Sequence, residues 1–525
     1  MNARDDVSPC LRESSAGGAP PLCVVLRCAD AAVPKARYVF DTLLMAAGIQ
    51  VRFVAEPPSD GPWLLYAASK HAEPAAAARC LAVAHCPQAW QIYAGREDAT
   101  EAAEVDGLAA VLPQRASNFD ADTDIAFDIV ANAFYFLSSW SERLQSGGSR
   151  RLHGDSAQAR RGIAQDIVDR YLDRLTVCLR CVARRLGMMQ PWPAQTWPGG
   201  AAYALVLTHD VDFLPSGPAD IARQGAKTLL RHLVRQRDPF DALRAMAGLT
   251  RACLRGRDPY GCVPQIIERE VHMGVRSSFQ VAVASRHPHD VNYRIEDDRV
   301  RDYLRVIIDA GFDLCLHGSY RSTERAQWYC DEVALLTRRL ARPIGSRQHF
   351  LSFDFDTLFA AQERSGIQYD MSMGFPDRIG PRNGFSYPYF PYSLEHDRPF
   401  DVLQIGLGLM DVTLRSYMGL RPAPARRVVD DLLDGLARKR GCLSMVWHPI
   451  VFAGARDPGY DDLYWHIVER VGASGGIATD GRTINAHWRE RARSYASFAA
   501  MQEGAGPALP MPRAPAAQQA TAVSC

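Results

Sequence analysis

The second half of the chain alternates short apolar runs with segments of helical spacing. Five runs of strand length follow residue 200, and residues 300–310 and 330–340 carry apolar positions at helical intervals between some of them. Strands separated by helices predict a parallel sheet with crossover helices, in a barrel or an open sheet. We therefore predict an α/β fold for this half. The five runs occupy residues 203–207, 278–283, 312–316, 402–407 and 442–447.

The first half carries a shorter version of the same pattern. Residues 22–26 and 63–66 are apolar runs suited to buried strands. Helical spacing runs through residues 37–48, 124–143 and 163–186. These elements predict a smaller α/β region that precedes the larger one.

Proline and glycine cluster between the two patterned regions, which is typical of a domain boundary. Both ends of the chain lack a periodic apolar face, and we expect them to be disordered tails. The expected order is a tail, an N-terminal α/β domain of unknown role, a linker, a larger α/β domain and a second tail. Their boundaries are residues 1–20, 21–190, 191–200, 201–500 and 501–525.

Length and composition fit a protein of two soluble domains. The 525 residues exceed the usual size of one domain, and 47% hydrophobic with 23% charged residues are globular values. A formal net charge of +1 gives no long-range field that would attract nucleic acid or an anionic membrane, so we expect neither partner. Because we find no run of the ~18 apolar residues that a membrane span needs, and residues 1–20 do not resemble a secretion signal, we expect a cytoplasmic protein.

Polar residues follow three of the predicted strands in the larger region. Asp210 and Asp212 come after the first run, His317 after the third and His448 after the fifth. Parallel α/β barrels place catalytic groups at the carboxyl ends of their strands, because the strands converge there while the loops remain free to vary. We therefore expect these four side chains to share one site.

Paired carboxylates with histidines suit a hydrolytic metal site. Aspartate and histidine both bind Zn²⁺ or similar ions, and an open coordination position would hold water. Such an ion lowers the pKa of the water and polarises the carbonyl group under attack. A free carboxylate can accept the water proton, and a histidine can protonate the leaving amine.

The segment Thr208-His209-Asp210-Val211-Asp212 resembles the first motif of the polysaccharide deacetylase (NodB-homology) family. Four further blocks resemble later motifs of that family, in the family's order, over roughly 250 residues. The region before them resembles the uncharacterised domain that precedes the deacetylase in one bacterial branch. The resemblance implies a distorted (β/α) barrel. The later blocks are residues 316–320, 345–350, 369–370 with 380–384, and 446–448; the N-terminal matches are 36–41 and 132–138.

The family's residue roles can be carried over to matching positions of this chain. The resemblance implies Asp210 as the general base, with Arg347 orienting and holding it through its planar donor fork. It implies Asp212 and His317 as metal ligands and His448 as the general acid. The implied cofactor is a divalent metal, zinc in particular.

Three further residues take supporting roles in this comparison. The resemblance implies Asp370 as the carboxylate that supports the general acid His448. It implies Tyr320 and Arg382 as residues that bind the substrate.

The second motif departs from the family at Arg321. The family has a second metal-binding histidine four residues after the first, and this chain has arginine four residues after His317. A guanidinium cannot bind a metal and would repel one nearby. Either His349 supplies the missing ligand, which is the alternative we favour, or the site works or binds without metal.

Other polar residues near these motifs have structural explanations. His209 should point away from Asp210 on a continuing strand, which favours a structural or supporting role. Asp354 precedes a helical stretch and suits an N-cap position. His287 and His289 flank a proline and are expected in a surface loop.

Together these features predict a cytoplasmic hydrolase that removes an acyl group, specifically N-acetyl, from a sugar or glycan precursor. A nucleotide- or lipid-linked sugar would be reachable in that compartment. Two alternatives stay open. One is a metal-free hydrolase of a small non-sugar amide, and the other is a catalytically inactive sugar-binding module, which the departure at Arg321 motivates.

Overall fold

The computed structural model describes most of the chain between residues 21 and 495. The described residues are 21–72, 79–99, 102–116, 119, 124–145, 161–189, 192, 196–214, 218–230, 233–234, 239–254, 262–283, 285, 287–453 and 457–495. Both expected tails, and residues 191 and 193–195 of the expected linker at 191–200, lie outside these residues.

The first region is built on a parallel four-stranded sheet in the order β2-β1-β3-β4. The strands are short and mostly buried, and helices connect or cover them. A small antiparallel hairpin, β5–β6, follows the sheet. The elements are β1 (Leu22–Arg27), α1 (Val33–Ala46), β2 (Val51–Val54), β3 (Trp63–Ala67), β4 (Cys80–Ala84), α2 (Pro87–Gly95), β5 (Ala103–Val105), β6 (Leu108–Ala110), α3 (Ile129–Leu137), α4 (Trp140–Gln145) and α5 (Ile167–Arg185).

The second region contains nine parallel strands and their crossover helices. Its elements are β7 (Ala204–Val211), α6 (Pro218–Leu230), α7 (Pro239–Leu254), α8 (Val263–His272), β8 (Ser278–Val281), α9 (Asp298–Asp309), β9 (Asp313–Gly318), α10 (Ala326–Arg339), β10 (Gly345–Gln348), α11 (Phe355–Ser365), β11 (Tyr369–Asp370), the β12–β13 hairpin (Tyr392–Ser393 and Arg398–Pro399), β14 (Leu403–Gln404), β15 (Leu407–Met410), α12 (Pro422–Lys439), β16 (Cys442–Val446), α13 (Tyr460–Ala473), β17 (Ile477–Thr479) and α14 (Gly481–Ser494).

This sheet curls round until its two ends meet. The strand order is β14-β11-β10-β9-β8-β7-β16-β15, with β17 beside β7. Since β14 and β15 are consecutive pieces of one segment, that segment joins the ends of the order. The amides of Ile405 and Leu407 donate to the carbonyls of Asp370 and Met373, and the amide of Ser444 donates to the carbonyl of Gly406. The predicted α/β class and barrel are confirmed.

The central strand β7 begins with a continuous apolar run rather than an alternating one, because both of its faces are buried. All eight of its residues are buried. Parallel strands covered by helices on one face and by the barrel interior on the other need apolar side chains on both faces. The strand predicted at 203–207 continues to Val211 in the structure, so Asp210 lies within it.

One predicted helix begins later than its apolar spacing suggests. The helix expected over 124–143 starts at Ile129, and Ile125 instead forms a β-bridge with Val83. The carboxylate of Asp128 accepts a hydrogen bond from the amide of Ala131 and caps the helix. An apolar residue next to a sheet edge can pair as strand even when its spacing fits a helix.

The two regions share one continuous cluster of buried apolar side chains. At the start of α5, the amide of Val168 donates to the Gly384 carbonyl at 2.9 Å. Gly384 has a φ of +78°, and a Cβ there would lie 2.7 Å from the Ile167 side chain. Only glycine allows this approach. Among the described residues, no helix is long and apolar enough to cross a membrane.

Candidate active site

The polar residues at the predicted strand ends converge at the carboxyl edge of the barrel. Asp210 is the last residue but one of β7, and Asp212 follows the strand. His317 lies near the end of β9, His349 directly follows β10, and His448 comes shortly after β16. Because the strands are parallel, their carboxyl ends meet on the same side of the barrel.

Asp212, His317 and His349 form a compact group of three side chains, which we call the metal group. One potential ligand atom of each lies within 4.8 Å of those of the other two. Asp212 Oδ1 is 3.1 Å from His317 Nε2, and Asp212 Oδ2 is 3.5 Å from His349 Nε2. One carboxylate with two imidazoles is a donor set that zinc and similar ions accept.

The hydrogen bonds around this group leave two ligand atoms available for an ion. His317 Nδ1 lies 3.0 Å from the Arg347 carbonyl oxygen, which places the proton on Nδ1 and the lone pair on Nε2. His317 Nε2 and Asp212 Oδ1 are buried and have no hydrogen-bond partner among the described residues. Buried polar atoms without a partner cost stability. The residues present therefore fit a divalent cation.

The electrostatics of the group also favour a cation. Burial acts to raise the pKa of Asp212, but the charge of His349 and the close approach of the His317, His349 and His448 rings hold that pKa well below its usual range. Burial acts to lower the pKa of His317, yet the Asp210 and Asp212 carboxylates raise it. The negative potential that favours a proton on His317 favours a metal cation for the same reason.

Asp210 is held in a fixed orientation by the buried Arg347. Arg347 Nη1 donates to Asp210 Oδ1 at 2.9 Å and to Thr208 Oγ1 at 2.5 Å. Arg347 Nε donates to the carbonyl of Met371 at 2.9 Å. These contacts leave the second oxygen of Asp210 directed towards the metal group, 3.9 Å from His317 Nε2.

His448 belongs to a dyad with Asp411, a residue that sequence reasoning missed. His448 Nδ1 lies 2.6 Å from Asp411 Oδ1, and His448 Nε2 lies 3.4 Å from Asp212 Oδ2. Burial acts to lower the pKa of His448, but the charge of Asp411 and contacts with Asp212 raise it to about 10. Arg415 Nε approaches the other oxygen of Asp411 at 3.6 Å, and Arg415 Nη1 lies 3.5 Å from Asp457.

The expectation that Asp370 supports His448 does not hold. Asp370 lies on β11, whereas β16, which precedes His448, has β15 and β7 as neighbours. The residue directly after β15 is Asp411, so that strand supplies the partner. The carboxylate of Asp370 instead accepts hydrogen bonds from the Gln362 amide and from the backbone and hydroxyl of Ser372.

Replacing Asp411 by Asn is expected to lower kcat about 10- to 100-fold, as is usual for a residue that orients a functional histidine. The amide keeps the shape of the carboxylate but removes the charge that holds the imidazole. Steady-state kinetics with a little-changed KM and an unchanged melting temperature would identify an orienting role. An Asp411→Asn variant of full activity would contradict it.

The carboxyl group of Asp370 is buried, and its ionisation makes the free energy of unfolding depend on pH. Burial raises its pKa from 3.8 to about 6 against the hydrogen bonds from Ser372 and Gln362. The folded protein therefore prefers the neutral acid, and this stabilisation is complete below pH 4 and lost as the pH rises through about 6. A shift of this size corresponds to roughly 3 kcal/mol.

The Asp370→Asn variant is expected to lack this pH-dependent loss. The melting temperature of the unaltered protein, relative to that of the variant, should decrease as the pH rises from about 4 to about 7, because only the unaltered protein buries a charge. The exposed Asp298, changed to Asn, is the matched control. Parallel pH profiles for the Asp370→Asn variant and the unaltered protein would show that Asp370 is not the titrating group.

Arg321, which replaces the expected second histidine, is turned away from the metal group. Its guanidinium makes two hydrogen bonds of 2.7 Å with the carboxylate of Glu324. The side chain is 55% exposed, so its charge is both paired and solvated. His349 is the side chain that approaches Asp212 and His317 in its place.

An aromatic surface adjoins the metal group. Tyr320 stacks on His287 with ring centroids 4.8 Å apart, and the Phe350 ring lies edge-on to Tyr320 at 5.7 Å. Phe350 packs against His349 at 4.6 Å and is 37% exposed. Its φ of +57° is a left-handed conformation that only a few per cent of non-glycine residues adopt. The expected loop at 287–289 thus packs against Tyr320 and Phe350 beside His349.

Arg382, expected to bind substrate, is buried in contacts with the first region. Its Nε donates to Glu142 Oε1 at 2.8 Å, and its guanidinium lies over the Phe375 ring at 5.0 Å. It is 4% exposed. Glu142 belongs to α4, so this ion pair ties the barrel to the preceding region.

Two structural interpretations of neighbouring residues agree with the structure. His209 is fully buried between the Trp447 carbonyl oxygen, 2.7 Å from Nδ1, and Glu270, 3.1 Å from Nε2. Asp354 accepts a hydrogen bond from the Thr357 amide at the start of α11 and is its N-cap.

Fold and site together define a parallel (β/α) barrel with an Asp/His/His group at its carboxyl edge. No family model and no curated protein matches the chain. Solved structures that resemble it include a candidate polysaccharide deacetylase from Mycobacterium smegmatis, with 18% identity over 57% of this chain and 93% of that chain and a TM-score of 0.37.

Two further structures are similar at comparable levels. The Puue allantoinase is 15% identical over 56% of this chain and 92% of that chain, with a TM-score of 0.37. A candidate glycoside hydrolase/deacetylase from Parabacteroides distasonis is 12% identical over 55% of this chain and 72% of that chain, with a TM-score of 0.33. At these values the likenesses assign neither family nor activity to the chain.

Proposed function

We propose that this protein is a metal-dependent hydrolase of the polysaccharide deacetylase type, which removes an acyl group, specifically N-acetyl, from a sugar or glycan precursor. The observation that carries the proposal is the approach of Asp212, His317 and His349 within 4.8 Å of one another. A base and an acid, Asp210 and His448, flank that group.

Asp212, His317 and His349 would hold the metal, and zinc suits this donor set. When bound, a divalent ion supplies Lewis acidity towards a carbonyl group. The lone pair on His317 Nε2 is preserved by the contact between Nδ1 and the Arg347 carbonyl. The side chain of the same arginine positions Asp210, so Arg347 orients both the ligand His317 and the base Asp210.

The chain's own groups account for the proton transfers of amide hydrolysis. Asp210, oriented by Arg347, accepts a proton from the attacking water. His448 donates a proton to the leaving nitrogen, which is a poor leaving group unless protonated. Its raised pKa, to about 10, keeps it in the donating form near neutral pH, and Asp411 fixes the ring through Nδ1.

The exposed aromatic surface beside the metal group supports a sugar as the substrate. The Phe350 ring packs against His349 and Tyr320 packs against Phe350, which is 37% exposed. Aromatic rings suit the apolar faces of sugar rings, and polar tips such as the Tyr320 hydroxyl can hydrogen-bond at their edges. Because Arg382 is buried against Glu142, we propose a structural role for it instead of contact with substrate.

The test is a screen for acetate release by the zinc-loaded protein from N-acetylated monosaccharides, nucleotide sugars and lipid-linked sugars. Cyclic and linear amides without a sugar form the comparison set, with amine release as the readout. Acetate release that chelation abolishes and zinc restores is the expected result. Turnover of the non-sugar amides alone, undiminished by chelation, would contradict both the substrate and the metal.

A further inference from the structure

His209 is a fully buried histidine whose two ring nitrogens each meet an acceptor. Successive side chains of a strand point to opposite faces, so its ring lies on the face of β7 opposite to that of Asp210. His209 Nδ1 lies 2.7 Å from the Trp447 carbonyl oxygen, and His209 Nε2 lies 3.1 Å from Glu270 Oε1. Because a carbonyl oxygen can only accept, Nδ1 carries a proton and donates it to Trp447.

Glu270 fixes the orientation of the His209 ring. Its buried carboxylate accepts hydrogen bonds from the Tyr464 hydroxyl and, at 2.7 Å, from the Ser277 hydroxyl. Since both carboxylate oxygens accept from hydroxyl groups, Nε2 is the donor in the contact with His209. α8 carries Glu270 and α13 carries Tyr464, so residues on two helices hold the ring from the side away from Trp447.

The bond to Trp447 lies directly before the proposed general acid, His448. β16 ends at Val446, and its pairing with β7 ends at the pair Val446 and Thr208. One backbone bond extends further, from the Trp447 amide to the Thr208 carbonyl at 2.9 Å. The Trp447 carbonyl and the His448 nitrogen belong to one planar peptide group. By holding that carbonyl, the His209 ring fixes the peptide group from which His448 starts.

Packing alone does not require a polar residue at position 209. The rings of Phe279 and Phe452 lie next to His209, with centroids 5.0 and 5.6 Å away, so the surroundings would accept an apolar ring. A buried ion pair is often no more stabilising than apolar side chains of the same volume, because desolvation of the charges offsets their attraction. The specific contribution of a histidine here is its directed bond to Trp447.

We propose that His209 is a positioning residue for the general acid His448, and that it acts through the Trp447 carbonyl. The inference rests on the proposed function, because the acid has a task only if an amide is hydrolysed. Asp411 restrains the His448 ring at Nδ1, and the bond from His209 restrains the backbone of the same residue. Both restraints place Nε2, and a misplacement of about 1 Å can cost about 100-fold in rate.

Two amide substitutions separate the two contacts of the ring. The side chain of Asn places a donor close to the position of Nδ1, and that of Gln close to the position of Nε2. His209→Asn thus keeps the bond to Trp447, and His209→Gln keeps the contact with Glu270. We expect His209→Gln to lower kcat about 10- to 100-fold with unchanged KM and zinc content, and His209→Asn to recover kcat to within about threefold of the unaltered protein.

A second substrate identifies the general acid as the group that is affected. Hydrolysis of p-nitrophenyl acetate needs no proton donor, because nitrophenolate leaves as the anion. His209→Gln should therefore keep its rate on this ester within about threefold of the unaltered protein, while its loss persists on the best amide of the acetate-release screen. Tyr464→Phe is the matched control: it removes a hydrogen bond from Glu270 but not the bond to Trp447, so it should lower the melting temperature and keep kcat on both substrates.

Equal loss of kcat in His209→Asn and His209→Gln would overturn the proposal, and so would a kcat that follows the melting temperature across all three variants. An equal loss on the ester and the amide would also overturn it, because the whole site would then be distorted. Failure of the unaltered, zinc-loaded protein to release acetate from either substrate would reject the proposed function and the positioning role together, so the two failures are distinguishable.

Discussion

Protein carrying His349→Ala is expected to bind zinc at least about 100-fold more weakly than the unaltered protein. Loss of a residue that merely supports a metal ligand typically costs 10- to 100-fold in affinity, and removing one of three ligands costs more. Arg321, at the family's usual position, does not replace His349, because it is paired with Glu324 and exposed. Elemental analysis of the purified protein and zinc titration against a competing chelator measure the change.

Arg321→Ala provides the control for this experiment. Its side chain points to solvent, so the variant should keep the zinc content of the unaltered protein. Equal zinc content in His349→Ala and the unaltered protein would exclude His349 as a ligand. A gain in affinity for Arg321→Ala would mean that its charge does reach the site.

Replacing Asp210 by Asn is expected to lower kcat about 10²- to 10⁴-fold while zinc binding is retained. General base catalysis contributes typically 10²- to 10⁴-fold. The amide oxygen can still accept a hydrogen bond from Arg347, so the local structure should persist, but it cannot accept a proton. Kinetics with the best substrate of the acetate-release screen, with zinc content measured alongside, give the answer.

Asp298→Asn serves as the control for Asp210→Asn, since its carboxylate is exposed and pairs with Arg301. Its kinetics should match those of the unaltered protein. If Asp210→Asn keeps its biological activity, the site binds a ligand without catalysing a reaction, which is the inactive-module alternative. A fall in melting temperature would show that the ion pair with Arg347 mainly stabilises the fold.

The strands of the larger region could be predicted from sequence because burial on both faces makes their apolar runs continuous. The run at 442–447 became β16, and that at 312–316 became β9 shifted by one to two residues. The very short strands β10 and β11 lack such runs. Residues 345–348 are buried in the barrel although they include Ser346, Arg347 and Gln348, whose side chains hydrogen-bond to tertiary partners.

The site residues could be predicted in part because strand ends in a parallel barrel share one edge. That rule, applied to Asp210, Asp212, His317 and His448, needs only the strand assignments. Asp411 obeys the same rule, but the predicted strand ended at residue 407 and the real one continues to Met410. An error of three residues at one strand end therefore concealed the partner of His448.

The sequence by itself determined the α/β class and the edge at which the chemistry collects, because these follow from local apolar spacing and from the geometry of parallel strands. Apolar spacing fits a barrel and an open sheet alike, and the barrel was implied only by the family resemblance. Tertiary structure decided the pairings. It brought His349 to Asp212, turned Arg321 to solvent, and placed Asp411 instead of Asp370 beside His448. Such contacts join residues distant along the chain, and no local pattern encodes their separation in space.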